Sequence, residues 1–158
     1  MILRPNLRVL KLYISPGHNY FGHHDVLPGE HPTLEVPEVQ LVAGRGIEGD
    51  RFFDFKDDYK GQVTFFDQAV YERLCEELSV KDKPPAVFRR NILTSGHDLN
   101  DLIGHEFEVQ GVLFAGTEES RPCAWMNEAF APGAKAAMQG RAGLRAKVLT
   151  SGSLRSEA

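Results

Sequence analysis

The sequence predicts a mainly β domain with short helices, folded as a closed or nearly closed mixed β-barrel. Three observations predict it. Roughly seven short runs carry strand composition or alternation, each cut by turn-forming residues. Only one stretch has a clear helical period. The runs also lack the regular strand–helix alternation of a doubly wound sheet. The length, 158 residues, fits one domain spanning 1–158.

Residues 8–15 (RVLKLYIS) alternate in part and predict a strand. Residues 16–32 are rich in glycine, proline and histidine and predict a long loop, a feature that is often functional in a small domain. Residues 34–41 offer a second strand, with Pro37 placing it at an edge or a bulge. Residues 62–66 (QVTFF) are β-branched and aromatic, hence a strand. The period then changes: Val70, Leu74 and Leu78 share a helical face, with Asp67 as N-cap. Residues 88–94 return to strand, and residues 98–103 form a helical turn. Residues 106–109 and 112–115 flank Gln110-Gly111, a candidate hairpin turn. Short helices are predicted over 124–130 and 134–138, separated by Pro132-Gly133, and a last strand over 144–149.

Composition excludes several classes. No run of 18 apolar residues is present, so no membrane-spanning helix is expected. The N-terminus lacks the apolar core and cleavage site of a signal peptide, and the expected location is cytoplasmic. Between residues 25 and 82 there are 14 acids against 6 bases, and from 83 onward 8 against 9, so no basic face for nucleic acid emerges. A local arginine-lined pocket is compatible with that balance. The two cysteines, Cys75 and Cys123, form no CxxC, which argues against a disulfide scaffold and a cysteine zinc site.

Five groups of residues can carry chemistry. In Arg121-Pro122-Cys123-Ala124-Trp125-Met126, Pro122 prevents a regular helix before Cys123 and the residues after it favour one. Cys123 then stands at a helix N-terminus, where backbone N–H groups, the dipole and Arg121 stabilise a thiolate: a nucleophile, a sulfur acceptor or a soft metal ligand. The alternative is a small, inert packed residue, which is how Cys75 reads beside Leu74. The second group, residues 44–51 (GRGIEGDR), can bring backbone N–H groups to an anion with Arg45 or Arg51 supplying charge, or can be a tight turn with Asp50 and Arg51 paired at the surface. The third is Arg89-Arg90-Asn91-Ile92. Strand alternation would put Arg89 and Asn91 on one face as a clamp for phosphate or carboxylate, with Arg90 opposite; the alternative is a solvated edge strand. The fourth, residues 140–145 (GRAGLR), signals a turn. The fifth is His18, His23, His24 and His31 with Asp25, a donor set for zinc at no recognised spacing, or a surface loop.

Together these pieces resemble the MOSC family, the C-terminal domain of molybdenum-cofactor sulfurases. The matching stretches are 43–51 (AGRGIEGDR), 62–64 (QVT), Arg89-Arg90-Asn91-Ile92, 96–104 (GHDLNDLIG), Pro122-Cys123 and 140–148 (GRAGLRAKV). The likeness is strongest over residues 36–152, and its specificity lies in the order of the pieces, ending on the cysteine.

The resemblance implies a β-barrel-like fold and a bound molybdenum cofactor (molybdopterin). It makes Cys123 the family cysteine, handling sulfur or ligating molybdenum. It makes Arg45, Gly46, Arg51, Arg89, Arg90, Asn91 and Arg121 candidates for the pterin phosphate and its pocket. Stand-alone members are similar to cytoplasmic reductases of N-hydroxylated substrates, so a small-molecule substrate and a redox or molybdoenzyme partner are expected. Pyridoxal phosphate is not expected, since this sequence has no desulfurase domain. Two alternatives stay open: a carrier that delivers cofactor or sulfur without turnover, and a metal-dependent enzyme using His18, His23 and His24.

Overall fold

The computed structural model describes residues 1–16 and 33–157. The predicted histidine loop, with His18, His23, His24 and His31, therefore lies outside the described residues. Among the described residues are eleven strands: β1 (Ile2–Leu3), β2 (Arg8–Ile14), β3 (Leu34–Val36), β4 (Glu38–Val42), β5 (Gly46–Ile47), β6 (Val63–Asp67), β7 (Ile92–Ser95), β8 (Glu106–Val109), β9 (Val112–Glu119), β10 (Leu144–Val148) and β11 (Gly152–Arg155). Three helices, α1 (Gln68–Glu77), α2 (Trp125–Ala129) and α3 (Ala134–Ala137), accompany two 3₁₀ turns at Pro85–Phe88 and Leu99–Leu102.

The fold is mainly β with short helices and a mixed sheet, but the strand pairing among the described residues does not close a barrel. Eight strands run in the order β1-β8-β9-β10-β6-β7-β2-β3, and three more form a second sheet, β11-β4-β5. The β1–β8 and β6–β7 pairs are parallel, and the rest are antiparallel. The sheets join at Pro37, which cannot donate a ladder hydrogen bond. The strand predicted over 34–41 breaks there into β3, at the edge of the large sheet, and β4, in the small one.

One hydrocarbon core lies between the sheets. Val9, Leu12, Phe65, Ile92, Phe107, Phe114 and Leu144 of the large sheet meet Val39, Leu41, Ile47 and Leu154 of the small one. Phe65 packs edge-on to Phe107 at 5.5 Å and Phe114 at 5.2 Å between ring centroids. A second core covers the outer face of β6, β7 and β2, where Tyr13, Phe66 and Leu93 pack against Leu74 of α1, Met126 of α2 and Phe88 and Phe130. Strand β6 is thus buried on both faces, and Thr64 is the one polar residue in its buried stretch from Val63 to Phe66. Its C-terminal residue starts α1: the Asp67 carboxylate accepts the Ala69 N–H at 2.9 Å, the predicted N-cap.

The predicted strand over 88–94 is the main local correction. Pro84-Pro85 opens a 3₁₀ turn that ends at Phe88, and Arg89 then takes a left-handed conformation (φ 58°) before β7 begins at Ile92. The turn breaks the alternation on which the Arg89/Asn91 pairing rested. Strand β7 lies between β6 and β2 rather than at an edge.

Candidate functional site

A cavity of about 110 Å³ borders the outer core, and its wall gathers Arg51, Arg89, Arg90, Arg121 and Arg145 around Cys123. Phe52, Tyr59, Thr64 and Trp125 are among the other lining residues, and no carboxylate of the described residues lines it. Four separate stretches of chain supply the five guanidinium groups.

Arg51 comes from the turn after β5. Its Nη1 lies 3.4 Å from Asp50 Oδ1, its Nη2 donates to the Arg89 carbonyl at 3.2 Å, and its guanidinium carbon sits 4.5 Å above the Phe52 ring. The Asp50–Arg51 pair exists, as the turn reading has it, but it is buried: Asp50 also accepts the Ser15 N–H at 2.8 Å. Phe52 and Tyr59 belong to an aromatic loop capped by half-exposed Phe55. Two ion pairs tie that loop down, Arg45–Asp54 and Lys147–Asp58, and both aspartates take left-handed backbone conformations.

Arg90 works differently from its neighbours. Its Nε donates to the Ala142 carbonyl at 3.1 Å, Nη1 to Phe88 at 3.2 Å, and Nη2 to Ser120 at 3.1 Å and Arg121 at 3.4 Å. One side chain therefore fastens the Cys123 loop to the 3₁₀ turn and to the start of β10. Burial pushes its pKa down to about 10; the Cys123 thiol opposes that shift, and the Arg51 and Arg145 charges add to it. Gly143 makes the approach feasible. At φ +117° it passes so close to β6 that a Cβ would stand 2.5 Å from the Phe65 carbonyl oxygen and 3.4 Å from Arg90 Nε.

Cys123 is half-buried in the wall, between Pro122 and a helix that starts two residues later. Its carbonyl accepts the Met126 N–H at 3.0 Å, so it stands just before the N-cap, Ala124. The predicted helix N-terminus is present but spans only five residues, and the positive surroundings come mainly from the guanidinium groups. Cys75, by contrast, packs against the outer core from α1.

Of the residues singled out from sequence, Cys123, Arg51, Arg89, Arg90 and Arg121 line the cavity, whereas Arg45, Gly46 and Asn91 do not. Arg45 is exposed, bonded through two nitrogens to Asp54 and stacked 4.8 Å from the Phe53 ring. Gly46 is buried in β5, where a Cβ would lie 2.8 Å from the Gln62 carbonyl oxygen; the tight-turn reading fits it. Asn91 splices strands together. Its Oδ1 accepts from the Thr64 N–H at 3.0 Å and hydroxyl at 3.1 Å, and its Nδ2 donates to the Tyr13 carbonyl at 3.2 Å. Arg145 and Trp125 join the wall without having been singled out. Arg145 carried a signal: Leu144, Ala146 and Val148 of β10 point inward, so alternation turns Arg145 to the cavity side. Among the described residues no cluster of histidine, cysteine and carboxylate side chains could hold a metal ion, and no helix is long and apolar enough to cross a membrane.

The MOSC domain model matches residues 49–157. This chain belongs to the MOSC domain family. The matched segment of the MOSC domain contains all five cavity arginines and Cys123, and the family is associated with molybdenum cofactor binding. Its fold is similar to the YuaD protein from Bacillus subtilis, with TM-score 0.73 at 17% identity over 95% of this chain and 91% of that one. It is also similar to YiiM from Geobacillus stearothermophilus, with TM-score 0.67 at 15% identity over 95% and 71%. For YiiM from Escherichia coli the values are 0.63 and 21%, over 91% and 66%. No curated protein matches the sequence.

Proposed function

We propose that this MOSC domain binds the molybdenum cofactor in the Cys123 cavity, with the cysteine sulfur turned to the metal side and the arginines holding the anionic remainder. One observation carries the reading: a cysteine and five arginines from four stretches of chain share one cavity, with no carboxylate of the described residues in its wall. The donor set suits the group. A pterin phosphate is a dianion for which guanidinium groups are good partners, and a thiolate is a soft ligand. Bound there, the cofactor would supply two-electron redox or sulfur chemistry at molybdenum.

The chain's own residues would bind and orient. Arg51, Arg89, Arg121 and Arg145 would hold the anion, while Arg90, committed to four carbonyls, fixes the loop that presents Cys123. Phe52 and Tyr59 would exclude water from one side. The reading extends to an enzyme, a reductase or a sulfur-handling protein acting on a small molecule, with Cys123 essential.

The test is expression with ample molybdate, then elemental analysis and fluorescence of the oxidised pterin released on denaturation. The expected result is molybdenum and pterin in equal amounts, both reduced in Arg145→Gln. Cys123→Ser should keep the fold and pterin while losing turnover with a chemical electron donor. Protein that carries neither metal nor pterin after such expression would sink the reading; protein that carries both yet turns over no N-hydroxylated substrate would make it a carrier.

A further inference from the structure

The cavity wall contains a hydrogen-bond donor that the fold leaves without an acceptor. Trp125 Nε1 is shielded from solvent and has no hydrogen-bond partner among the described residues, and Trp125 lines the same cavity as Cys123. A buried N–H left unpaired costs a protein stability. Phenylalanine would pack against the outer apolar core at this position without that cost, so the indole nitrogen needs a reason.

The protein does not provide the acceptor from the surrounding wall. No carboxylate of the described residues lines the cavity. The charged side chains that the described residues bring to the wall are all guanidinium groups, which only donate. An acceptor brought by a ligand would complete Trp125, and one that also suits a wall of guanidinium groups carries negative charge on oxygen.

We infer that the Trp125 indole N–H is a ligand-binding donor, hydrogen-bonding an oxygen of an oxyanion held in the Cys123 cavity. The inference rests on the reading of this cavity as an anion site and adds to it the group that fixes the anion's position relative to Cys123. A cation field attracts an anion from any direction; a hydrogen bond from one N–H fixes where one oxygen sits. The oxyanion can come from the cofactor's phosphate or from an acidic group of the substrate.

The chain has one tryptophan, so nitrogen-15-labelled protein gives one indole N–H resonance. Inorganic phosphate is the probe, titrated at constant ionic strength and followed in parallel by calorimetry. The indole resonance should move downfield and saturate at the calorimetric midpoint. Trp125→Phe should bind phosphate about tenfold more weakly, the loss expected for one hydrogen bond to a charged group, and unfold at or above the wild-type urea concentration. If the variant does not fold, the wild-type titration still decides. A resonance that stays in place while phosphate binds, in a manner abolished by Arg145→Gln, overturns the role of Trp125 and leaves the arginine cavity standing. No phosphate binding at any concentration overturns both. Repeating the titration on cofactor-loaded protein separates the sources: a response lost on loading assigns the indole to the cofactor, and one retained assigns it to the substrate.

Discussion

The two sides of strand β6 have opposite characters. Inward, Val63 and Phe65 enter a core of hydrocarbon alone, shared by both sheets. Outward, Phe66 supports a thin layer of short helices and Thr64 faces the arginine cavity. The inner side is built by strands, whose alternation repeats regardless of neighbours. The outer side is built by turns and loop ends, where one unusual backbone conformation redirects a side chain. Stability should therefore be concentrated within, and ligand binding without.

The strongest way to break this division is Phe65→Ala. It removes a wholly buried ring from between Phe107 and Phe114 and should cost about 3–5 kcal/mol, read as a fall in the urea midpoint. Protein that stays folded should still bind cofactor; selective loss of binding at unchanged stability would contradict the division.

Asn91→Ala tests the seam between the two sides. Leaving the Thr64 N–H and the Tyr13 carbonyl unsatisfied should cost about 2 kcal/mol by urea unfolding, with cofactor content per folded molecule unchanged. A variant as stable as wild type but empty of cofactor would return Asn91 to the binding site.

An alkaline titration sharpens the account of the outer core. Burial, then the nearby Glu35 charge, pushes the Tyr13 pKa up to about 12, and burial with the Cys75 thiol does the same for Tyr71. Both folded values lie above the ordinary tyrosine pKa of about 10, so the fold retains protons that the unfolded chain gives up. That stabilisation is complete below about pH 10 and is lost as the pH rises through about 12. Arg90, depressed to about 10, contributes with the opposite sign. Tyr13→Phe should therefore flatten the decline in urea midpoint between these pH values, and phenolate absorbance should show a late phase that the variant partly lacks.

The smallest effect is expected at Arg45. Its pair with Asp54 is solvent-exposed and such pairs contribute little. Arg45→Ala should leave both the urea midpoint and the cofactor content at wild-type values, and a marked loss of cofactor would show that the aromatic loop needs this tether.

Much of this architecture was legible in advance. The strands around the inner core follow from alternation, α1 from its apolar period and the Asp67 cap, and the family from ordered fragments ending at Cys123. The reading failed where local pattern and tertiary packing diverge. Arg89, Arg90 and Asn91 read as an alternating strand, yet Pro84-Pro85 and the left-handed Arg89 remove the alternation and bring both arginines to the cavity. Arg45 and Arg51 looked equivalent, flanking one glycine-rich turn, yet only Arg51 turns inward, toward Asp50 and the Arg89 carbonyl.

By itself, then, the sequence determined the β-rich architecture, the helix cap, the family and the reactive-residue candidate, because these depend on periodicity and on side-chain chemistry close in the chain. Only the tertiary structure decided which arginines converge on Cys123, that Arg145 and Trp125 join them, and that Asn91 holds strands together. Those outcomes bring together residues up to 94 positions apart, from Arg51 to Arg145, and no local pattern encodes how four separate stretches will meet around one cavity.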